Sequence, residues 1–239
     1  MFLAGCGGHN QARVAVPPPP AVPQSLPSSR PQAPSDTQRT TKPDDTRAEI
    51  SLPSDTKVIF TETGTASWYG PPYHNRRGSN GELYDMHAFT AAHRTLPLGS
   101  IVRVTNVKTG HSTIVRITDR GPFVGNRIID LSLAAAQKVD VWKPGVATVK
   151  LEVLQTPSSL DAGGRWAVQI GAFDDERSAD EMAGRISRRY HSAHVLRFPS
   201  PAGNWWVRVR VKDDDRKRAE EVAKATETKV GVVFLVRLD

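Results

Sequence analysis

The sequence predicts a mostly β chain followed by an α+β module: a disordered N-terminal linker, a small β-barrel, and a two-layer βαββαβ domain. Three observations carry this reading. Eight of the 18 prolines fall in positions 17 to 34. Short apolar-alternating runs broken by turn residues fill positions 61 to 155. Beyond residue 163, strand-like runs alternate with two stretches of helical periodicity.

Residues 1–60 read as a tethered linker. Pro17-Pro18-Pro19-Pro20 and the Ser, Gln, Thr and Asp around them cannot bury enough apolar area to offset ordering entropy. At its head, Leu3-Ala4-Gly5-Cys6 resembles the lipobox of bacterial lipoproteins, although no basic n-region or full apolar h-region precedes it. That resemblance implies acylation of Cys6, a lipid anchor rather than a span, and, with Gly7 next, an outer-membrane address.

Residues 61–155 predict the barrel. "GTASWYG" (64–70) opens it, "IVRVTNV" (101–107) and "HSTIVRIT" (111–118) flank a hairpin turn, and "ATVKLEVL" (147–154) closes it. One helix is expected from Leu133 to Val139, capped by Ser132 and rich in alanine. Residues 156–163 form a short second linker.

Residues 164–239 predict the βαββαβ module. The helix over 177–190 aligns Ala179, Met182, Ala183, Ile186 and Tyr190. That over 214–227 aligns Ala219, Val222, Ala223 and Thr226 behind Asp213, Asp214 and Asp215. In "NWWVRVRV", alternation puts Trp205, Val207, Val209 and Val211 toward the helices. Trp206, Arg208 and Arg210 fall on the other face, with Gln169 of the first strand. An open face of that kind suits a polymer with sugar faces and carboxylates.

The chain carries a net charge of +7. Residues 61–155 hold 11 Lys and Arg against 7 Asp and Glu, and residues 163–239 hold 15 against 12. Spread this thinly, the excess predicts no nucleic-acid footprint. His74, His87 and His111 lack metal-ligand spacing, and with a single cysteine neither a metal nor another cofactor is expected.

The sharpest local signal is "ITDRGPF" (117–123). Thr113, Val115 and Ile117 share a strand face with Asp119, and Gly121-Pro122 then ends the strand. Asp119 reads either as a turn residue or as a carboxyl at the edge of an apolar face, desolvated and raised in pKa, with Arg116 and Arg120 opposing.

Taken together, "GTASWYG", "SNGELYD…FTAAHRTLPLG" and "TDRGPF…RIIDLS" resemble the double-psi β-barrel of the rare lipoprotein A family of septal lytic transglycosylases. "WAVQIGAF" and the βαββαβ order resemble the SPOR module that binds peptidoglycan. Three departures stand out: Thr118 replaces the usual Asn before Asp-Arg-Gly-Pro, Ser79-Asn80-Gly81-Glu82 stands for the usual Ala-Ser-Gly-Glu, and "RVKDDD" replaces the usual continuation of the SPOR strand. The resemblance implies cleavage of the β-1,4 bond between MurNAc and GlcNAc in peptide-stripped strands, in the periplasm and at the division septum. The muramyl 6-hydroxyl attacks its own C1, giving 1,6-anhydro ends, so positioning matters more than activation of water.

On this reading Asp119 is the acid/base, Glu82 stabilises developing positive charge, and His93 orients a carboxylate or sugar hydroxyl. Asp85 and Asp130 compete for the acid's place, Asp130 reading instead as a cap near the Ser132 helix. Trp68, Tyr69 and Arg120 are expected to hold substrate at the barrel, and Gln169, Trp206, Arg208 and Arg210 on the second module. Each has a plainer alternative: His93 satisfying a loop, Glu82 facing solvent, Trp68 or Tyr69 in the core. The expected protein is a monomer whose partners are glycan strands and, through Cys6, a membrane. An expansin-like module that binds peptidoglycan without cutting it is the alternative.

Overall fold

A computed structural model of the chain describes residues 48–239 except 54, 201, 202, 227, 229 and 230. Cys6 and the polyproline run lie outside the described residues. Six strands close into a barrel: β1 (Phe60–Trp68), β2 (Thr90–His93), β3 (Ile101–Asn106), β4 (Ser112–Asp119), β5 (Arg127–Leu131) and β6 (Ala147–Gln155). Their order is β1-β5-β2-β4-β3-β6. The β1–β5 and β2–β4 pairs are parallel and the rest antiparallel.

The β3–β4 hairpin forms as predicted, its turn fixed by Asn106, whose side-chain oxygen accepts from the Lys108 and Thr109 amides. Thr113, Val115 and Ile117 point into the barrel and are sealed, joined there by Val102, Val104, Ile129, Leu131, Val149 and Leu151. Strands β2 and β5 went unpredicted. Each is too short to show clear period-two alternation, and each is held as a strand by one parallel neighbour and by the other's antiparallel ladder. Helix α1 (Leu133–Lys138) is capped by Ser132, whose hydroxyl accepts from the Ala135 amide at 3.2 Å. Asp130 is therefore not the cap.

The second module contains β7 (Trp166–Phe173), α2 (Glu176–Arg189), β8 (His194–Pro199), β9 (Trp205–Arg210), α3 (Arg216–Ala225) and β10 (Val232–Arg237). Its antiparallel sheet runs β10-β7-β9-β8. Asp175 and Asp215 cap α2 and α3 by accepting from the Ser178 and Arg218 amides. Both helices lie on the face carrying Trp166, Val168, Ile170, Val207 and Val209, as the alternation required.

The opposite face is not open. Trp206 is 7% exposed and Gln169 2%. Trp206 packs with Phe234 and Val236 against Phe123 of the barrel, at 5.3 Å between the Trp206 and Phe123 rings. Alternation fixes which face a residue occupies; it carries nothing about what covers that face.

Several contacts clamp the two modules. The Arg237 amide donates to the Arg94 carbonyl at 2.9 Å, the Leu98 amide to the Asp239 carbonyl at 3.1 Å, and the Arg94 guanidinium sits over Phe234. Arg237, fully buried, donates to Ser158 Oγ and the Ser159 carbonyl, and Leu160 packs on the barrel core. Gly164 is required there: with φ +79°, a Cβ would stand 2.7 Å from the Arg237 guanidinium.

Candidate active site

At the end of β4 the barrel opens into a cleft of about 400 Å³. Tyr69, Asp119, Arg127 and Asp130 line it from the barrel, and Phe198 and Arg208 from the second module.

Asp119 reaches the cleft because of a local slip in the β2–β4 ladder. Ala91 pairs with Ile117 but Ala92 with Asp119, so Thr118 is the extra residue. A bulge of this kind re-aims the side chain that follows it. Three donors then hold Asp119 Oδ1: the Ser79 amide at 2.9 Å, the Ser79 hydroxyl at 2.5 Å and the Arg120 amide at 2.7 Å. Oδ2 has no hydrogen-bond partner among the described residues. Asp119 is half-buried, so the sealed carboxyl expected from its strand parity is corrected: the parity seals Ile117, and the chain leaves the barrel at the next residue but one.

Ser79 arrives on a small loop that folds back on itself. The Gly78 amide donates to the Glu82 carbonyl at 2.8 Å, the Asn80 amide to the Thr118 carbonyl at 3.2 Å, and the Tyr84 amide to the Arg76 carbonyl at 2.8 Å. The loop lies so close that a Cβ on Gly78 would sit 3.2 Å from the Thr118 carbonyl oxygen. Ser79 went unsingled in the sequence, although Asn80-Gly81 beside it was a legible turn signal. Glu82 is exposed, accepts from the Asn80 side chain at 2.7 Å, and shares a smaller recess with Asp119.

Asp130 occupies the same cleft in a different environment. Burial pushes its carboxyl up to about 6 from 3.8, against the pull of Arg127 and Arg94. Its Oδ2 accepts from Arg127 at 3.2 Å, while Oδ1 and Arg127 Nε are buried with no partner among the described residues. Tyr69 belongs to this wall too. It stacks on Tyr84 at 4.2 Å and meets Tyr73 edge-on at 5.8 Å, and its hydroxyl is buried without a partner among the described residues.

Of the site residues expected on the barrel, His93 and Trp68 lie outside the cleft, and Arg120 lines it but commits its guanidinium elsewhere. His93 follows Ala92 on β2 and so points away from the cleft. The Thr95 and Leu96 amides donate to its Nδ1, so Nε2 carries the proton and faces Glu62 at 3.4 Å. Burial holds its pKa below the usual histidine value, with Glu62 opposing. Its observed work is to fix the 94–98 loop. Arg120 is 7% exposed, and its guanidinium donates to the carbonyls of His93, Leu96 and Asp239, so it braces the junction rather than presenting charge to a ligand. Trp68 packs against the barrel core and does not line the cleft.

On the second module, Arg208 donates through Nε and Nη2 to Gln169 Oε1 at 3.0 and 2.6 Å and lies 5.1 Å over the Phe198 ring. Arg210 is outside the cleft, tied to Asp214 by two hydrogen bonds of 3.0 and 2.6 Å.

A carboxyl group with one oxygen pinned and one free shares this cleft with a largely buried carboxyl whose pKa is raised, a pairing able to support acid–base chemistry.

Comparison with known proteins identifies both modules. The family described as "Lytic transglycolase", a double-psi barrel, matches residues 61–151, and the SPOR domain family matches residues 162–230. Proteins called endolytic peptidoglycan transglycosylase RlpA are similar along the chain. That of Neisseria meningitidis serogroup A is 61% identical over 42% of this chain and 42% of its own length. That of Pseudomonas aeruginosa is 39% identical over 72% of this chain and 51% of its own. That of Campylobacter jejuni is 38% identical over 75% of this chain and 72% of its own. The chain thus spans under half the length of the Neisseria relative it matches. With both modules matched and most of the Campylobacter protein covered, the chain belongs to the RlpA family of endolytic peptidoglycan transglycosylases.

Proposed function

We propose that this chain is an endolytic lytic transglycosylase of the bacterial cell wall. It cleaves the β-1,4 bond between MurNAc and GlcNAc in peptide-stripped strands and leaves 1,6-anhydro-muramyl ends. The observation that carries this is the pair of carboxyl groups in one cleft with different surroundings, Asp119 under three donors and Asp130 with its side chain 15% exposed and its pKa raised by burial.

The proton balance is simple. A carboxyl gives its proton to the glycosidic oxygen as the bond from C1 breaks, and the GlcNAc 4-hydroxyl leaves. The muramyl 6-hydroxyl oxygen bonds to C1, and its proton passes to a carboxylate. Asp130 is assigned the first role and Asp119, through Oδ2, the second. This divides between two residues the acid/base work that the sequence assigned to Asp119 alone. Proton exchange with solvent restores both groups. Glu82, from the adjoining recess, stabilises charge developing at the sugar. Tyr69 and Tyr73 hold the sugar rings, and His93 contributes by positioning the loop after β2.

The module limits 61–155 and 164–239, joined by 156–163, the monomeric state and the septal, outer-membrane location through an acylated Cys6 belong to the same proposal. Labelling cells with an azido fatty acid, with Cys6→Ser as control, tests the anchor.

The deciding experiment is mass spectrometry of peptide-free sacculi digested by the purified chain. Anhydro-muramyl products, lost in Asp119→Asn and Asp130→Asn variants that stay folded, support the enzyme. Retention on sacculi with no soluble product supports the expansin-like alternative and ends the catalytic reading.

A further inference from the structure

The predicted binding face of the second module is the far wall of the barrel's own cleft. Gln169, Trp206 and Arg208 do not face solvent as an independent surface. The junction that brings them there is built rather than incidental. Arg120 spends its guanidinium on carbonyls from both sides of it, Arg94 pairs its backbone with Arg237, and Phe123 fills the space beneath Trp206.

Arg208 is the unusual member of this wall. It is a partly buried guanidinium that makes no ion pair among the described residues, and its hydrogen bonds through Nε and Nη2 go to the neutral Gln169. Nη1 has no hydrogen bond among the described residues. The charge is held flat over Phe198 and is close enough to Asp119 across the cleft for that carboxylate to oppose the effect of burial. Buried cations are ordinarily paired. Here the geometry leaves a planar donor edge aimed into a cleft, a form suited to a carboxylate.

We infer that the two modules form one composite glycan site, in which Arg208 binds the free lactyl carboxylate of a muramyl residue while the barrel carboxyl groups act on the neighbouring linkage. The inference rests on the proposed function for its substrate. It accounts for a preference for peptide-stripped strands by one contact: a stem peptide turns that carboxylate into an amide, which removes the charge Arg208 would meet and adds bulk between the walls. Recognition and cutting then become a single binding event.

The test uses the full chain, a soluble peptide-free tetrasaccharide, and the same tetrasaccharide with its lactyl groups amidated. In kinetics, Arg208→Met is expected to raise KM for the free-acid substrate at least tenfold with kcat within threefold, and to erase the preference over the amide. Arg208→Lys should recover part of both, and Arg177→Met on α2 should change neither. By calorimetry on the Asp130→Asn chain, one tetrasaccharide should bind per chain, and both Arg208→Met and Tyr73→Ala, one on each wall, should weaken that same event. Two binding events per chain would overturn the inference, as would unchanged KM in Arg208→Met beside lost retention on sacculi. If the unaltered chain makes no anhydro product, the proposed function fails, and calorimetry still decides whether the site is composite.

Discussion

The two walls of the cleft are built differently. On the barrel side, polar groups are buried without partners among the described residues: the Tyr69 hydroxyl, Arg127 Nε and Asp130 Oδ1. On the side of the second module, Gln169 accepts from Nε and Nη2 of Arg208, and Arg210 is closed on Asp214. Unpaired buried polar atoms are costly and uncommon, and they concentrate where a protein keeps groups ready to react. The barrel wall can change protonation state. The opposite wall can hold a ligand but has no group there suited to moving a proton.

Asp130→Asn should sharpen this contrast most. Product formation is expected to fall by about 100-fold or more, roughly 2.7 kcal/mol of barrier. Stability should move the other way. Because the folded carboxyl titrates near 6 and the unfolded one near 3.8, the folded chain holds a proton that the unfolded chain has lost. The group's contribution is therefore complete below the unfolded value and declines as pH rises through the folded one. Asparagine removes that decline, so unfolding free energy at pH 7.5 should rise by on the order of 1–3 kcal/mol, with a higher Tm. A variant less stable at pH 7.5 than the natural chain would break the argument.

Arg237→Ala attacks the junction that makes two walls of one cleft. Loss of its bonds to Ser158, Ser159 and Asp239 should cost about 2–3 kcal/mol and speed proteolysis within 156–163. Unaltered cleavage of that segment would mean the walls are held together by something else.

His93→Gln should cost about 1–2 kcal/mol by loosening the Thr95 and Leu96 amides. Since burial lowers the histidine pKa, its stabilising contribution is present above the ordinary histidine range and is lost as pH falls through the folded value. The stability difference between the natural chain and the His93→Gln variant should therefore narrow on acidification, as seen in denaturant titrations at pH 7.5 and 5. The smallest effect is expected for Ser79→Ala. One of the three donors on Asp119 Oδ1 goes while both amides remain, so kcat should drop about fivefold to tenfold with Tm unchanged.

Much of this molecule was legible in its residues. The β3–β4 hairpin, the Ser132 cap, both helices of the second module and the alternation of β9 follow from local periodicity and turn chemistry. Asp119 stood out because an apolar strand face ended on it. Asp130 did not, because an Asp two residues before a serine cap has a plausible local use. Its burial in the cleft, which raises its pKa against the charges of Arg127 and Arg94, is not visible in local spacing. His93 misled for the mirror reason: a histidine near catalytic-looking motifs invites a role, while the direction of its ring depends on the pairing of a four-residue strand.

By itself, the sequence determined which residues form most of the strands and helices and which face each side chain takes, since those depend on neighbours within a few positions. The tertiary structure alone decided what lies opposite each face: that Trp206 meets Phe123, that Arg120 braces a junction, and that two carboxyl groups share one cleft under unequal burial. Desolvation and charge act through space, and the distances that set them exist only once the chain has folded.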